Sequence, residues 1–155
     1  MKVLVVTVST RAADGVYADR AGPAVVDGLR AVADVVDGPS VVRDDDVDGA
    51  LREAVAAGYD VVVTTGGTGL GPADRTPEAT RAVLDREVPG IAEALRAQGV
   101  AAGVPTAVLS RGVAGLAGRT LVVNLPGSTG GARDGVDVLA PVLRHAVDQI
   151  GGGDH

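Results

Sequence analysis

The chain has no cysteine, tryptophan or phenylalanine, one methionine, and two tyrosines, Tyr17 and Tyr59. Without cysteine there can be no disulfide, zinc–thiolate centre or cysteine nucleophile. With so few aromatics, the stacking platforms of single-strand nucleic-acid binders are missing. A net charge of −6 also argues against a nucleic-acid backbone as partner. No apolar run reaches the length of a membrane span. Met1 to Ser9 is too short and too weakly basic for a signal peptide. The expectation is a cytoplasmic protein with neither nucleic acid nor membrane as partner. Histidine is scarce too: His145 falls in a helical pattern and His155 in the tail. Ser128 sits in Pro-Gly-Ser-Thr-Gly rather than Gly-x-Ser-x-Gly, so a serine hydrolase is poorly supported.

What is present is aliphatic. Of 155 residues, 46% are hydrophobic, so the core must be built from Val, Leu, Ile and Ala. Val-rich runs suit a parallel sheet covered by helices. The length fits one domain over 1–150, with 151–155 as a frayed tail. Strands are predicted at 2–8, 60–65, 106–109 and 120–125, with a short strand and turn at 35–42. Helices are predicted at 19–33, 48–57, 77–86, 91–98 and 134–150. The segment 9–15 reads as a polar loop. Strands alternating with helices imply a doubly wound α/β sandwich, mostly parallel. Because 106–109 and 120–125 lie close in sequence, one edge strand is expected to run antiparallel.

The most informative segment is Thr64-Thr65-Gly66-Gly67-Thr68-Gly69-Leu70-Gly71-Pro72. It follows Val61-Val62-Val63 and precedes Thr76-Pro77-Glu78, read as N-cap, first helical position and dipole-complementing acid. A strand feeding a glycine loop feeding a helix holds phosphate with backbone amides and the helix dipole. The loop lacks the Lys-Ser/Thr of a P-loop, and Pro72 stands where a dinucleotide motif has its third glycine. The bland alternative is a tight turn. Asp74 lies just beyond this loop, where a carboxylate beside an anion requires a cation between them. Asp44-Asp45-Asp46 follows Val41-Val42, and Asp14 and Asp19 flank the first strand-to-helix loop. Each of these acids also reads as a cap or a solvated charge. A second loop, Asn124-Leu125-Pro126-Gly127-Ser128-Thr129-Gly130-Gly131, follows another apolar strand. There Ser128 either donates to phosphate or caps a helix, and Asn124 either reads a heterocycle edge or forms an Asx turn.

Taken together, Thr65-Gly66-Gly67-Thr68-Gly69 with Asp74-Arg75-Thr76-Pro77-Glu78-Ala79-Thr80, Asp19-Arg20-Ala21-Gly22-Pro23 and Asn124-Leu125-Pro126-Gly127-Ser128 resemble the MoaB/Mog family, the molybdopterin adenylyltransferases. The similarity runs from Lys2 to about Ile150. It implies transfer of AMP from ATP to the terminal phosphate of molybdopterin, with Mg2+ and release of pyrophosphate. It also implies a three-layer α/β/α sandwich assembled as a homotrimer or trimer-based hexamer, with the molybdate-insertion enzyme as a further partner. The resemblance assigns Asp74 and Asp44 as catalytic and metal-holding residues. It assigns Gly66, Gly67, Thr68 and Gly69 to the phosphate cradle and Thr65 to substrate binding. Ser9, Asp19, Ser110, Asn124, Pro126, Gly127 and Ser128 complete the expected substrate-binding set. The alternative is a non-catalytic molybdopterin-binding or carrier protein of the same fold. The chain departs from the family pattern at Ala73, Arg43 and Thr129-Gly130-Gly131, where Arg, Pro and Pro-Lys-Ala are usual. Arg111, Arg75 or Arg133 is the expected substitute for the missing lysine cation.

Overall fold

The computed structural model describes residues 1–153; residues 154 and 155, and with them the expectation for His155 and the end of the tail, lie outside the described residues. The elements run β1 (Lys2–Val8), α1 (Thr10–Ala13), α2 (Ala21–Leu29), β2 (Val35–Val42), a 3-10 turn (Asp44–Asp46), α3 (Val47–Ala56), β3 (Val61–Thr65) and α4 (Thr76–Arg81). They continue with β4 (Arg86–Glu87), α5 (Pro89–Ala101), a second 3-10 turn (Pro105–Leu109), β5 (Ala114–Ala117), β6 (Thr120–Leu125) and α6 (Thr129–Ile150). Among the described residues the strands form one sheet in the order β2-β1-β3-β6-β5-β4. The first four are mutually parallel. β5 runs antiparallel to both β6 and β4.

The sheet is a three-layer sandwich because its strands alternate. Val3, Val5, Val61, Val63, Leu121 and Val123 face one way, with Val25 and Leu29 of α2 and Val136, Leu139 and Leu143 of α6. Val6, Val8, Val62 and Val122 face the other, with Val47 and Leu51 of α3 and Ala79 of α4. Both faces are covered, which is why the strands read as unbroken Val runs. Because α2 covers one face and α3 the other, the chain reverses its winding at β1 and β3. That reversal opens a crevice at their C-terminal ends.

Four expectations are corrected. Residues 106–109 are not a strand; they lie in the 3-10 turn Pro105–Leu109. Pro105 fixes φ there and can start a turn but not a ladder. Val108 and Leu109, whose chemistry suggested a strand, are exposed. The strand paired with β6 is instead β5, inside what reads as a glycine-rich segment, and it lies one place in from the edge, with β4 outside it. Residues 35–42 form one continuous strand whose pairing with β1 slips in register between Leu4 and Val6. Pro39 is tolerated because β2 is an edge strand. The last helix begins at Thr129 rather than 134, and the loop after β1 contains the short α1. At the other end of α6, the N–H groups of Gly151 and Gly153 donate back to Val147 and Asp148. Among the described residues no helix is long and apolar enough to cross a membrane.

Leu139 is fully buried between α6 and the sheet, whereas Val142 on the same helix is 44% exposed. Leu139→Ala should therefore cost about 2–5 kcal/mol, and Val142→Ala no more than about 0.5 kcal/mol. Urea unfolding of both variants checks this contrast.

Candidate functional site

The segments singled out in the sequence leave the C-terminal ends of neighbouring parallel strands. Ser9 and Thr10 follow β1, Asp44 follows β2, the glycine loop follows β3, and Pro126-Gly127-Ser128 follows β6. They meet because those strands are adjacent.

Glycine is required at the first two loop positions. Gly66 and Gly67 have φ of 102° and 65°, the left-handed region that L side chains avoid. A side chain on Gly66 would strike the Val8 carbonyl, and one on Gly67 the Thr76 hydroxyl. Thr76 is fully buried. It is the first residue of α4 rather than its N-cap, and Arg75 holds the cap position without a side-chain cap bond. The Thr76 hydroxyl instead donates to the Gly66 carbonyl at 2.9 Å, and its N–H donates to the Gly67 carbonyl at 3.1 Å. The sequence signal at Thr76 was real, but its target is the loop.

The two carboxylates sit on either side of this loop. The N–H and hydroxyl of Thr10 donate to Asp44 Oδ2 at 3.0 and 2.6 Å. Asp44 Oδ1 lies 3.3 Å from where a Gly67 methyl would stand. Asp74 Oδ2 accepts from the Gly71 N–H at 2.8 Å. It would lie 2.8 and 2.9 Å from methyls on Gly69 and Gly71. In each case Oδ2 is held by the protein, which leaves Oδ1 for a ligand. Among the described residues no group of three carboxylates or histidines can form a protein-only metal cage. Two carboxylates completed by waters and phosphate oxygens are what magnesium usually takes, so the donor set fits a metal carried in with a substrate.

Other expected residues divide between scaffold and surface. Asp19 accepts from the Thr7 hydroxyl at 2.7 Å and from the Gly22 N–H at 3.0 Å, so both oxygens are engaged at the start of α2. Ser9 caps α1 through the Ala12 N–H and shares a hydrogen bond with the Tyr17 hydroxyl. Ser128 caps α6, accepting from the Gly131 N–H at 3.1 Å, and its hydroxyl proton stays available. Ser110 accepts from the Gly112 N–H. The Thr65 hydroxyl donates to the Pro126 carbonyl at 2.6 Å and ties the two loops together.

Asn124 has its amide bonded to the protein itself and makes no Asx turn. It is 2% exposed. Its amide nitrogen donates to the hydroxyls of Thr64 and Thr80 at 3.0 and 2.9 Å, and its oxygen accepts from the Val113 N–H at 3.1 Å. Both amide protons are therefore held internally.

Arg111 is also redirected. Its guanidinium donates to the Gly69 carbonyl and the Asp74 carbonyl, both at 2.8 Å, and pairs with Glu78. It is therefore no substitute phosphate cation. Arg75 lies 3.9 Å from Asp48. Arg133 is exposed and lines neither cavity described below. The cations at the cleft are Arg11 and Arg20, which the sequence did not single out for that role.

Two cavities flank the loops. A cleft of about 910 Å³ is lined by Ser9, Thr10, Arg11, Tyr17, Asp19, Arg20, Asp44 and Thr65 among others. A narrower pocket of about 380 Å³ is lined by Ala92, Leu95, Arg96, Val104, Leu109 and Ser110 among others. Gly67, Asp74, Gly127 and Ser128 line both. The N-terminus of the 22-residue α6 opens at that shared rim, where an anion is favoured.

A family model described as "Probable molybdopterin binding domain" matches residues 4–145. The chain belongs to the MoaB/Mog family. The MoaB/Mog fold is also seen in a solved structure of MogA, which is 54% identical, with a TM-score of 0.93 over 97% of this chain and 99% of that one. The Mog protein from Mycobacterium ulcerans is 52% identical, with a TM-score of 0.88 over 96% and 98% of the two chains. A molybdopterin adenylyltransferase of Helicobacter pylori strain J99 is 36% identical over 94% of this chain and 85% of its own length. Against bifunctional molybdenum cofactor biosynthesis proteins of Synechococcus elongatus and Chlorobaculum tepidum, the chain spans about half of their length.

Asn124→Leu removes partners from the Val113 N–H and from two buried hydroxyls. It should destabilise by at least about 2–3 kcal/mol, read by thermal or urea unfolding. A second expectation concerns pH. The Arg111 guanidinium hydrogen-bonded to Glu78 holds its carboxyl below the usual value. That stabilisation is present above the unfolded value of about 4.3 and is lost as pH falls through the folded value. Both side chains are partly exposed, so the pair is worth at most about 1 kcal/mol. Glu78→Gln should lower stability at pH 7 and leave it unchanged near pH 3.

Proposed function

We propose that the protein transfers AMP from MgATP to the terminal phosphate of molybdopterin, giving adenylyl-molybdopterin and pyrophosphate. A two-substrate reaction is supported above all by the rim that the two cavities share, where Gly67, Asp74, Gly127 and Ser128 face both. Family membership supports the coarser statement, a role in molybdenum cofactor biosynthesis.

The chemistry asks little of the protein covalently. A phosphate oxygen of molybdopterin forms a bond to the α-phosphorus of ATP, and the bond from that phosphorus to the bridging oxygen breaks. Pyrophosphate leaves with the electron pair. The nucleophile is already an anion, so no base must remove a proton. Positioning and charge neutralisation therefore carry the catalysis. Loop amides and the α6 N-terminus hold one phosphate group. Oδ1 of Asp44 and of Asp74 would hold the magnesium that accompanies ATP, and when bound that ion offsets charge on the leaving group. On the same reading the protein is a cytoplasmic homotrimer or trimer-based hexamer and delivers its product to a molybdate-insertion enzyme.

One observation favours a second reading, a non-catalytic carrier. Arg111, a candidate for the missing lysine cation, is engaged with the protein itself. Tight molybdopterin binding without pyrophosphate release from MgATP would select the carrier.

Asp74→Asn should reduce pyrophosphate release by at least about 100-fold while leaving the circular dichroism spectrum and melting temperature near wild type. Turnover equal to wild type would remove Asp74 from the site.

A further inference from the structure

The glycine loop has no regular secondary structure between Gly66 and α4, and it carries Asp74 at its far end. Asp74 and Gly71 are bonded to each other twice, through the Gly71 N–H to Oδ2 and through the Asp74 N–H to the Gly71 carbonyl at 3.0 Å. Those bonds are local to the loop and cannot fix it to the sheet. Thr76 and Leu125 hold its near end at Gly66 and Gly67, and the stretch from Thr68 to Asp74 is held by Arg111, 37 positions from Asp74. The Arg111 backbone N–H donates to the Thr68 carbonyl at 2.9 Å. Its Nε donates to the Gly69 carbonyl and one terminal nitrogen to the Asp74 carbonyl. The other terminal nitrogen pairs with Glu78 on α4. A planar guanidinium with its donors in a rigid fork can hold several acceptors at once, which a lysine ammonium does less rigidly.

We propose that Arg111 is a positioning residue: it straps the glycine loop from Thr68 and Gly69 to Asp74 and so sets where the Asp74 carboxylate stands, without touching substrate. The proposal rests on the adenylyl-transfer reading for its catalytic consequence, but not for the strap itself. Arg111 is only two residues from Val113, whose N–H bonds to Asn124 on β6, so the strap is anchored close to the sheet. Glu78 orients the guanidinium from α4, and the carbonyls of Gly69 and Asp74 each take one further N–H. Loss of the strap should free the loop while leaving the core intact, because its partners Thr68, Gly69, Asp74 and Glu78 lie outside both apolar clusters.

Two measurements on Arg111→Met and Glu78→Gln separate the possibilities. The first is amide hydrogen exchange on the ligand-free protein. In Arg111→Met the Gly71 and Asp74 amides should exchange about 10-fold faster or more, with β1, β3 and β6 amides unchanged. The second is steady-state pyrophosphate release. The kcat should fall by about 100-fold, as expected for a carboxylate displaced by an ångström, with KM for molybdopterin within about 3-fold of wild type because the α6 N-terminus still holds its phosphate. Glu78→Gln keeps the bonds to Gly69 and Asp74 and should show a smaller change of the same kind in both measurements. If Arg111→Met does not fold, Arg111→Lys carries the same test, with the same direction of change. Unchanged Gly71 exchange overturns the strap whatever the activity. Faster exchange with unchanged kcat overturns the positioning role. If wild type itself releases no pyrophosphate, the reaction assignment fails, and exchange alone then decides the strap.

Discussion

A closed hydrogen-bond circuit around Asn124 holds the site together. Its amide donates to the Thr80 hydroxyl, which donates to the Thr76 carbonyl. The Thr76 hydroxyl donates to the Gly66 carbonyl, and the Gly66 N–H donates to Leu125, the neighbour of Asn124. Sheet, helix and glycine loop are thus joined in one ring that begins and ends on β6. The ring is buried, where each bond is strong and each broken bond is costly. Asn124, Thr64 and Thr80 lie between the sheet and α4, and Asn124 has the same parity along β6 as Val122. The strand alternation that builds the core therefore also aims the polar network.

The same alternation explains what was legible in the sequence. Val61-Val62-Val63 and Leu121-Val122-Val123 are buried on both faces, and unbroken apolar runs advertise such strands without ambiguity. The glycine loop was legible because positive φ and close approach to Val8 admit little besides glycine. β5 was not legible: Ala-Gly-Leu-Ala has weak strand propensity, and its pairing with β6 and β4 supplies what local preference lacks. Residues 106–109 misled for the converse reason, since β-branched chemistry there serves an exposed turn.

Within the site, sequence position located the residues but not their bonding. Asp74 stands out for lying just past the glycine loop, Asp44 follows a strand, and the family resemblance singles out both; the topology brings both to the glycine loop. Asn124 and Arg111 were chosen for chemistry that could face a ligand, yet both face the protein. A polar residue next to a binding loop has two possible uses, and only the partners across the sheet decide between them. Thr64, Thr80 and Val113 are remote from Asn124 in sequence, so nothing local announced the network.

That redirection shapes the electrostatics of the proposed reaction. With Arg111 engaged by two carbonyls and Glu78, the rim shared by the two cavities has amides and a helix terminus but no lysine. The cleft's arginines, Arg11 and Arg20, come from the segment after β1 and do not line the narrower pocket. Partial positive charges on fixed amides need no reorganisation when a phosphate arrives, unlike a flexible ammonium. They can also sit beside Asp74 without forming the ion pair that would take its carboxylate away from a metal. In the proposed reaction, a cradle of amides flanked by two carboxylates would keep anion holding and cation holding separate within one crevice. That separation is what a reaction between a phosphate nucleophile and a metal-bound triphosphate requires.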